Sequence, residues 1–188
     1  MLHRIVVIVA LFVSLCSFNG DTPKAEKVFP KPEKEKIPNM LFYVQRTFNT
    51  NTIIYELNVN AKGELNAQEP FNIHWINYAS DNSSEGLNYI QRRYAYGLEV
   101  KLLDAEKQTY VFNFVSYKKK KLYLMKSPVD NKYHVFSEIN NRLVALDRVF
   151  IQIEGGSFWV PHIVYIEVSG TDIAKNNEAV VERVIPKQ

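Results

Sequence analysis

Cysteine is nearly absent from this chain. Its 188 residues include one cysteine, Cys16, which lies in the apolar segment at the N-terminus. The rest of the chain therefore has no disulfide, no thiol nucleophile and no cysteine-based metal site. Its fold must be stabilised by an apolar core, and the roughly 150 residues after the N-terminal segments suffice for one domain with such a core.

Glycine and histidine are also scarce. The seven glycines form neither G-x-G-x-x-G nor a P-loop, which excludes a local glycine-rich phosphate site. His134 and Glu138 would lie roughly 13 Å apart along a strand, too far to share an ion. Ser157 is not followed two residues later by the glycine of a nucleophile elbow. We predict no catalytic residues, no metal site and no cofactor, although folding could still assemble a triad or a carboxylate pair.

The chain also has little excess charge, since it contains 23 basic and 20 acidic residues. A chain this close to neutral has no electrostatic footprint for nucleic acid, so we predict no nucleic-acid partner. Aromatic residues are abundant by contrast, with 11 Tyr and 11 Phe. These residue types favour strands over helices.

Long hydrophobic runs are absent too. The apolar run Ile5–Val13, which follows Arg4, is far shorter than the roughly 20 residues of a membrane-spanning helix. A basic start and a short apolar core predict that residues 1–20 are a signal peptide. The protein would then be exported and become periplasmic, outer-membrane-anchored or secreted. Three fates stay open: cleavage after Cys16, lipidation of Cys16, and an uncleaved anchor, and a lipid on Cys16 would be the protein's link to the membrane.

Residues 21–38 predict a disordered tether between the signal peptide and the domain. Four of the eight prolines fall here, interleaved with lysine and glutamate. Such a segment buries too little apolar surface to offset its ordering entropy. It is either a spacer that holds the domain away from its attachment point or a remnant of the leader. Residues 39–188 follow as a single β-rich domain.

From Met40 onward the apolar residues alternate with a period of two. Examples are Ile53, Tyr55 and Leu57, or Val149, Ile151 and Ile153, and this pattern is typical of strands with one buried face. About nine strands joined mainly by short hairpins predict an all-β fold, either an antiparallel β-sandwich or an up-and-down barrel. Asn140-Asn141 predicts a tight hairpin turn.

One short helix is expected near residues 86–93. Leu87, Ile90 and Tyr94 recur at helical spacing, and Ser83 and Ser84 could cap the N-terminus. Gly97 would mark the change from this helix to a strand. Residues 172–184 fit a helix or a last edge strand equally well.

Four blocks of sequence carry a resemblance to a known family: Leu41–Arg46, Asn51–Asn58, Ile73–Ile76 and Gln91–Gly97. In order and spacing they resemble a bacterial family catalogued only as a domain of unknown function, number 4833 in that series. The similarity runs from about Met40 to Thr171. It implies export and a single domain, and it brings no activity, ligand or catalytic residue.

The candidate binding residues lie between Ile73 and Gly97. They combine flat rings with guanidinium groups: His74, Trp75, Arg92, Arg93, Tyr94 and Tyr96. Arginine binds carboxylate or phosphate through two parallel hydrogen bonds, and tyrosine and tryptophan add apolar area with a polar end. The set could bind a glycan, a lipid headgroup or a peptide. In the structural alternative, Trp75 fills the core, Tyr94 packs the helix onto the sheet, and the arginines favour the helix C-terminus.

Three functions follow from these patterns. The favoured one is an extracytoplasmic binding or interaction module of the cell envelope, monomeric, which acts through the aromatic and basic surface. The second is a β-barrel that binds a small molecule in an apolar cavity lined by Tyr110, Phe112 and Phe114. The third is a hydrolase or transferase whose site is assembled by folding.

Overall fold

The structure is a computed structural model that describes residues 28–157 and 160–186. The predicted signal peptide, with Cys16, and residues 21–27 of the predicted tether lie outside the described residues. Among the helices of the described part, none combines the length and the apolar character needed to cross a membrane.

Eleven strands and one short helical segment make up the described part of the chain. The strands are β1 Met40–Arg46, β2 Asn49–Leu57, β3 Phe71–Ile76, β4 Ser84–Gly86, β5 Leu98–Asp104, β6 Thr109–Phe114, β7 Tyr117–Lys126, β8 Tyr133–Ile139, β9 Arg142–Gly156, β10 Pro161–Asp172 and β11 Glu178–Val184. The all-β prediction is confirmed. The sequence did not predict β4, which is too short to show alternation, and it left the region of β11 undecided.

All strands belong to one curled sheet, which is mostly antiparallel and forms a half-barrel. The one parallel pair within the described residues joins β1 to β9, with Tyr43 opposite Arg148 and Val44 opposite Val149. Ala145 of β9 pairs with both β8 and β10, whereas Val149 pairs with both β1 and β10. Strands β8 and β1 therefore share one edge of β9, and the sheet divides there into a first arm, β1–β4, and a second arm, β5–β8.

Aromatic side chains join the two arms across their inner faces. Phe42 and Tyr55 of the first arm stack with ring centroids 4.3 Å apart. Phe114 of the second arm meets both rings edge-on, at 6.1 Å and 5.7 Å. Edge-to-face contacts between buried rings add to the stabilisation that apolar burial gives. The core therefore lies between the arms and holds their curvature.

The helical segment lies further along the chain than predicted. It consists of a short α-helix, α1 Tyr89–Gln91, that continues into a π-helical turn, Arg92–Tyr96. Asn88, rather than a serine, is the N-cap, because its side chain accepts a hydrogen bond from the Gln91 backbone at 2.9 Å. The Gln91 side chain accepts from the Asn88 backbone at 3.0 Å in return, which is a capping box. Ser84 belongs instead to β4.

Two turns match the sequence analysis. Asn140 and Asn141 have φ values of 49° and 59°, and they connect the paired residues Ile139 and Arg142 in a two-residue hairpin. Asparagine tolerates this left-handed conformation better than most residues. Gly97 separates the π-helical turn from β5 in an extended conformation, as predicted.

Residues 28–38, the part of the predicted tether that is described, contact the outer face of the sheet. Phe29 meets Phe150 edge-on at 5.1 Å, and Pro32 is buried. The carbonyl oxygen of Pro30 accepts a hydrogen bond of 2.8 Å from Gln45 Nε2. Phe29, Pro30 and Pro32 thus pack on the domain, where they supply an acceptor and apolar surface to strands β1 and β9.

Candidate functional site

A cavity of about 790 Å³ lies between β9, β10 and the ends of the two arms. One wall is aliphatic and comes from three cross-strand pairs of β9 and β10, which place six branched side chains on one face. The pairs are Val149 with Val168, Ile151 with Ile166, and Ile153 with Ile163. Period-two alternation puts each set of three on the same face of its strand, apart from a register shift between Ile163 and Tyr165.

Exposed aromatic and apolar side chains surround the opening of this cavity. Phe48, Tyr94, Tyr117 and Val160 all line it and are each more than a third exposed. Tyr94 and Tyr96 reach it from the π-helical turn, which therefore forms part of its wall. No aspartate or glutamate occurs among the described residues that line the cavity.

Arg46 supplies a cation to this cavity. It follows Phe42 and Val44 at a spacing of two, so it shares their inward face. Its guanidinium lies 5.0 Å from the ring centroid of Trp75 and 5.4 Å from that of Tyr96, distances that permit cation–π attraction. Its Nη1 also donates a hydrogen bond to the Tyr96 hydroxyl. Two aromatic rings therefore hold the guanidinium in place.

Tyr96 and Tyr55 form a buried chain next to Arg46. The Tyr55 hydroxyl donates a 2.8 Å hydrogen bond to the Tyr96 carbonyl oxygen. Burial raises the pKa of Tyr55 well above its ordinary value. Burial also raises the pKa of Tyr96, although the Arg46 charge opposes this shift. Both phenols are therefore neutral at neutral pH, and neither offsets the charge of Arg46.

Two buried side-chain atoms of the described residues lack a hydrogen-bond partner, and both belong to residues that line the cavity. They are Arg46 Nε and Ser137 Oγ. An unpaired buried polar atom costs about 1–3 kcal/mol, and more when the group is charged. Most such atoms in proteins are paired, so two at one cavity mark it as a place for a polar partner.

Lys120 is a second cation that lines the cavity, but it already has acceptors. Its Nζ lies 2.5 Å from the carbonyl oxygen of Glu138 and 3.8 Å from Glu182 Oε2. Arg46 has no ion pair within 4.0 Å among the described residues, as the ion pairs found there involve other arginines. Arg46 is therefore the cation of this cavity without a matching anion.

The six predicted binding residues separate into four locations. Trp75 and Tyr96 are in the core around Arg46, and Tyr94 is at the cavity opening. His74 lies on the other face of β3, where its Nδ1 is 3.4 Å from Glu56 Oε2. Arg92 and Arg93 are on the exposed side of the π-helical turn, Arg92 3.7 Å from Glu69 and Arg93 over the Tyr94 ring.

The residues predicted to line an apolar cavity are mostly core residues. Tyr110 and Phe112 are only 2% and 1% exposed and belong to the main hydrophobic cluster, while Phe114 lines the cavity. Neither Arg46 nor the wall of β9 and β10 was predicted from the sequence. A usable signal existed, because Arg46 continues the inward-facing alternation of Phe42 and Val44, where a charged residue is unexpected.

Metal ligation has no candidate in the described ranges, where no three His, Cys, Asp or Glu side chains lie close enough to hold an ion. The cavity lining offers a single face of apolar groups, one open cation and hydroxyl groups. Such a lining is suited to holding an apolar molecule with a polar end.

The chain belongs to the family whose model is described as Domain of unknown function (DUF4833), which matches residues 42–183. This confirms the family suggested by the four sequence blocks. No curated protein matches the chain, and no solved structure matches it either.

Proposed function

We propose that this protein binds a small, mainly apolar molecule in the cavity between β9, β10 and the two arms. The observation that carries the proposal is the cavity itself, about 790 Å³ with an aliphatic wall. Ligand sites in proteins are typically 300–1,000 Å³, mostly apolar, with a few placed polar groups. Two architectures were predicted from sequence, a sandwich and a barrel. The barrel suits this role better, because a curled sheet can enclose a ligand.

The cavity is a better candidate than the aromatic and basic surface. His74 lies on the other face of β3, next to Glu56, and Trp75 and Tyr96 are both buried. The predicted surface site therefore lacks three of its six members. A role as an exported binding module is retained, with the ligand inside the sheet, and its location outside the cytoplasm rests on the predicted signal peptide.

A neutral fluorescent probe tests this proposal. Phenylnaphthylamine should bind the purified protein with an increase in fluorescence, because the aliphatic wall removes it from water. Ile153→Trp would place an indole in the cavity, and we expect affinity for the probe to fall at least about tenfold, the cost of about 1.4 kcal/mol of lost contact. Leu143→Trp is the matched control, since Leu143 lies on the same strand and is 53% exposed.

Two results would contradict the proposal. The first is a wild-type protein that gives no saturable signal with the probe. The second is equal binding by both tryptophan variants, which would place the probe elsewhere on the surface. Mass spectrometry of an organic extract of the purified protein then identifies the native ligand.

A further inference from the structure

We propose that the ligand is a single-chain amphiphile whose carboxylate binds Arg46, with its tail along the aliphatic wall of β9 and β10. This inference rests on the proposed function, since it needs the cavity to bind a ligand. It adds the chemical class of that ligand and the residue that recognises it.

Arg46 carries a positive charge that no described residue lining the cavity balances. A guanidinium is always protonated in proteins, and a partly buried charge is costly unless it is paired. The described residues that line the cavity include no carboxylate, and the nearby phenols of Tyr96 and Tyr55 are neutral. The cation–π contacts with Trp75 and Tyr96 fix the guanidinium but do not neutralise it. A bound anion would neutralise this charge.

Arg46 also has hydrogen-bond donors to spare. Its Nη1 donates to Tyr96, whereas Nε has no acceptor and is enclosed by protein atoms. Arginine can present Nε and one terminal nitrogen as a fork that matches the two oxygens of a carboxylate. A carboxylate in the cavity would therefore bind a terminal nitrogen of Arg46 first, and a shift of the side chain would bring Nε into the fork.

The shape of the cavity suits a ligand with a polar head and an apolar tail. Arg46 is two residues before Phe48, one of the exposed side chains at the opening, while the six branched side chains of β9 and β10 lie along the wall. A head group at Arg46 would therefore leave an apolar tail against these side chains. A cavity of about 790 Å³ has the size of a site for one drug-sized ligand, which a single-chain carboxylate matches.

Displacement of phenylnaphthylamine by two ligands of equal chain length tests the inference. Laurate and lauryl alcohol are compared below their micelle-forming concentrations. We expect laurate to bind the wild-type protein roughly 10- to 100-fold more tightly, the range for a hydrogen-bonded charge pair. Arg46→Gln should remove most of this preference while affinity for the alcohol and for the probe changes less than about threefold. Arg46→Lys, which keeps the charge without the fork, should restore part of it.

Arg92→Gln is the matched control, because Arg92 is exposed and does not line this cavity. It should leave the preference for laurate unchanged. Lauryl phosphate is included to distinguish a carboxylate site from a general anion site, and binding tighter than that of laurate would overturn the choice of carboxylate.

Equal displacement by laurate and lauryl alcohol in the wild-type protein would overturn the inference, and this comparison needs no variant to fold. An equal loss for both ligands in Arg46→Gln would overturn it too, since it would show a purely structural role. If the probe itself does not bind, the proposed function fails. If the probe binds and Ile153→Trp blocks it while laurate has no advantage, only the assignment of the carboxylate fails.

Discussion

Gly97→Ala is expected to destabilise the wall of the cavity, because the π-helical turn packs its own backbone against Gly97. A Cβ atom at this position would lie 1.8 Å from the carbonyl oxygen of Arg92 and 2.9 Å from its carbonyl carbon. Cβ contacts below 3.0 Å are essentially never observed, so the turn or Gly97 must move by more than about 1 Å. The obstacle is backbone, which cannot rotate away as a side chain would.

The expected loss of unfolding free energy in Gly97→Ala depends on the kind of clash. The φ and ψ angles of Gly97, −65° and 164°, are open to alanine, so the substitution alone reduces the entropy of the unfolded chain and stabilises by about 0.4–1 kcal/mol. Overpacking against a rigid neighbour costs about 1–3 kcal/mol, occasionally more. A shift of this size next to the buried residues Tyr96 and Gly97 belongs at the upper end, so we expect a net loss of about 2 kcal/mol.

Urea unfolding followed by tryptophan fluorescence measures this loss, with an unchanged slope as the check that the same transition is compared. Gly86→Ala is the matched control. Nothing lies within 4 Å of a Cβ atom there, so its midpoint should stay the same or rise slightly. Because Tyr94 and Tyr96 line the cavity, Gly97→Ala should also weaken binding of phenylnaphthylamine. A Gly97→Ala midpoint equal to that of the wild-type protein would refute the packing argument.

Two further predictions concern the outer face and the buried phenols. Phe29→Ala should cost about 1–2 kcal/mol of unfolding free energy through its lost contact with Phe150, whereas Val28→Ala, at a position 84% exposed, should have no effect. Equal urea midpoints for the two variants would show that the segment does not stabilise the domain. The contribution of Tyr55 and Tyr96 to stability should be constant up to about pH 10, the ordinary tyrosine pKa, and fall above it. Burial raises the folded-state pKa of both residues, so the unfolded chain loses these protons first. Circular dichroism against pH measures this effect. Tyr55→Phe should lose less stability at alkaline pH than the wild-type protein. An identical pH profile for the two proteins would contradict the role given to Tyr55.

The strands could be predicted because alternation is a local property. The inward set Ile53 and Tyr55 is buried as expected, but Thr52 and Ile54 on the opposite face are fully buried too. The reason lies elsewhere in the chain, where Pro30 accepts a hydrogen bond from Gln45, which in turn donates one to Thr52. A segment whose composition predicts disorder therefore supplies a hydrogen-bond acceptor to this second face, and composition alone does not reveal this.

The cavity could be predicted only in part. Its wall arises because two alternating rows, on β9 and β10, pair in a register that no local pattern encodes. The parallel pairing of β1 with β9 brings Arg46 to that wall. This pairing cannot be predicted from local sequence patterns either. Two members of the predicted aromatic and basic cluster, Trp75 and Tyr96, lie against Arg46 in the structure. The recognition role predicted from sequence fell on His74, Trp75, Arg92, Arg93, Tyr94 and Tyr96, a set that does not include Arg46.

The pairing of β1 with β9 also has a consequence for the order of folding. Gln45 accepts a hydrogen bond from Arg148, 103 residues later in the chain, and this pairing joins the first arm to β9. Closing so large a loop is entropically unfavourable until both partners are present, and contacts of this kind slow folding. The cavity between β9, β10 and the two arms therefore cannot form before β9 has been synthesised and has paired with β1. The ligand that we propose would bind only after that step.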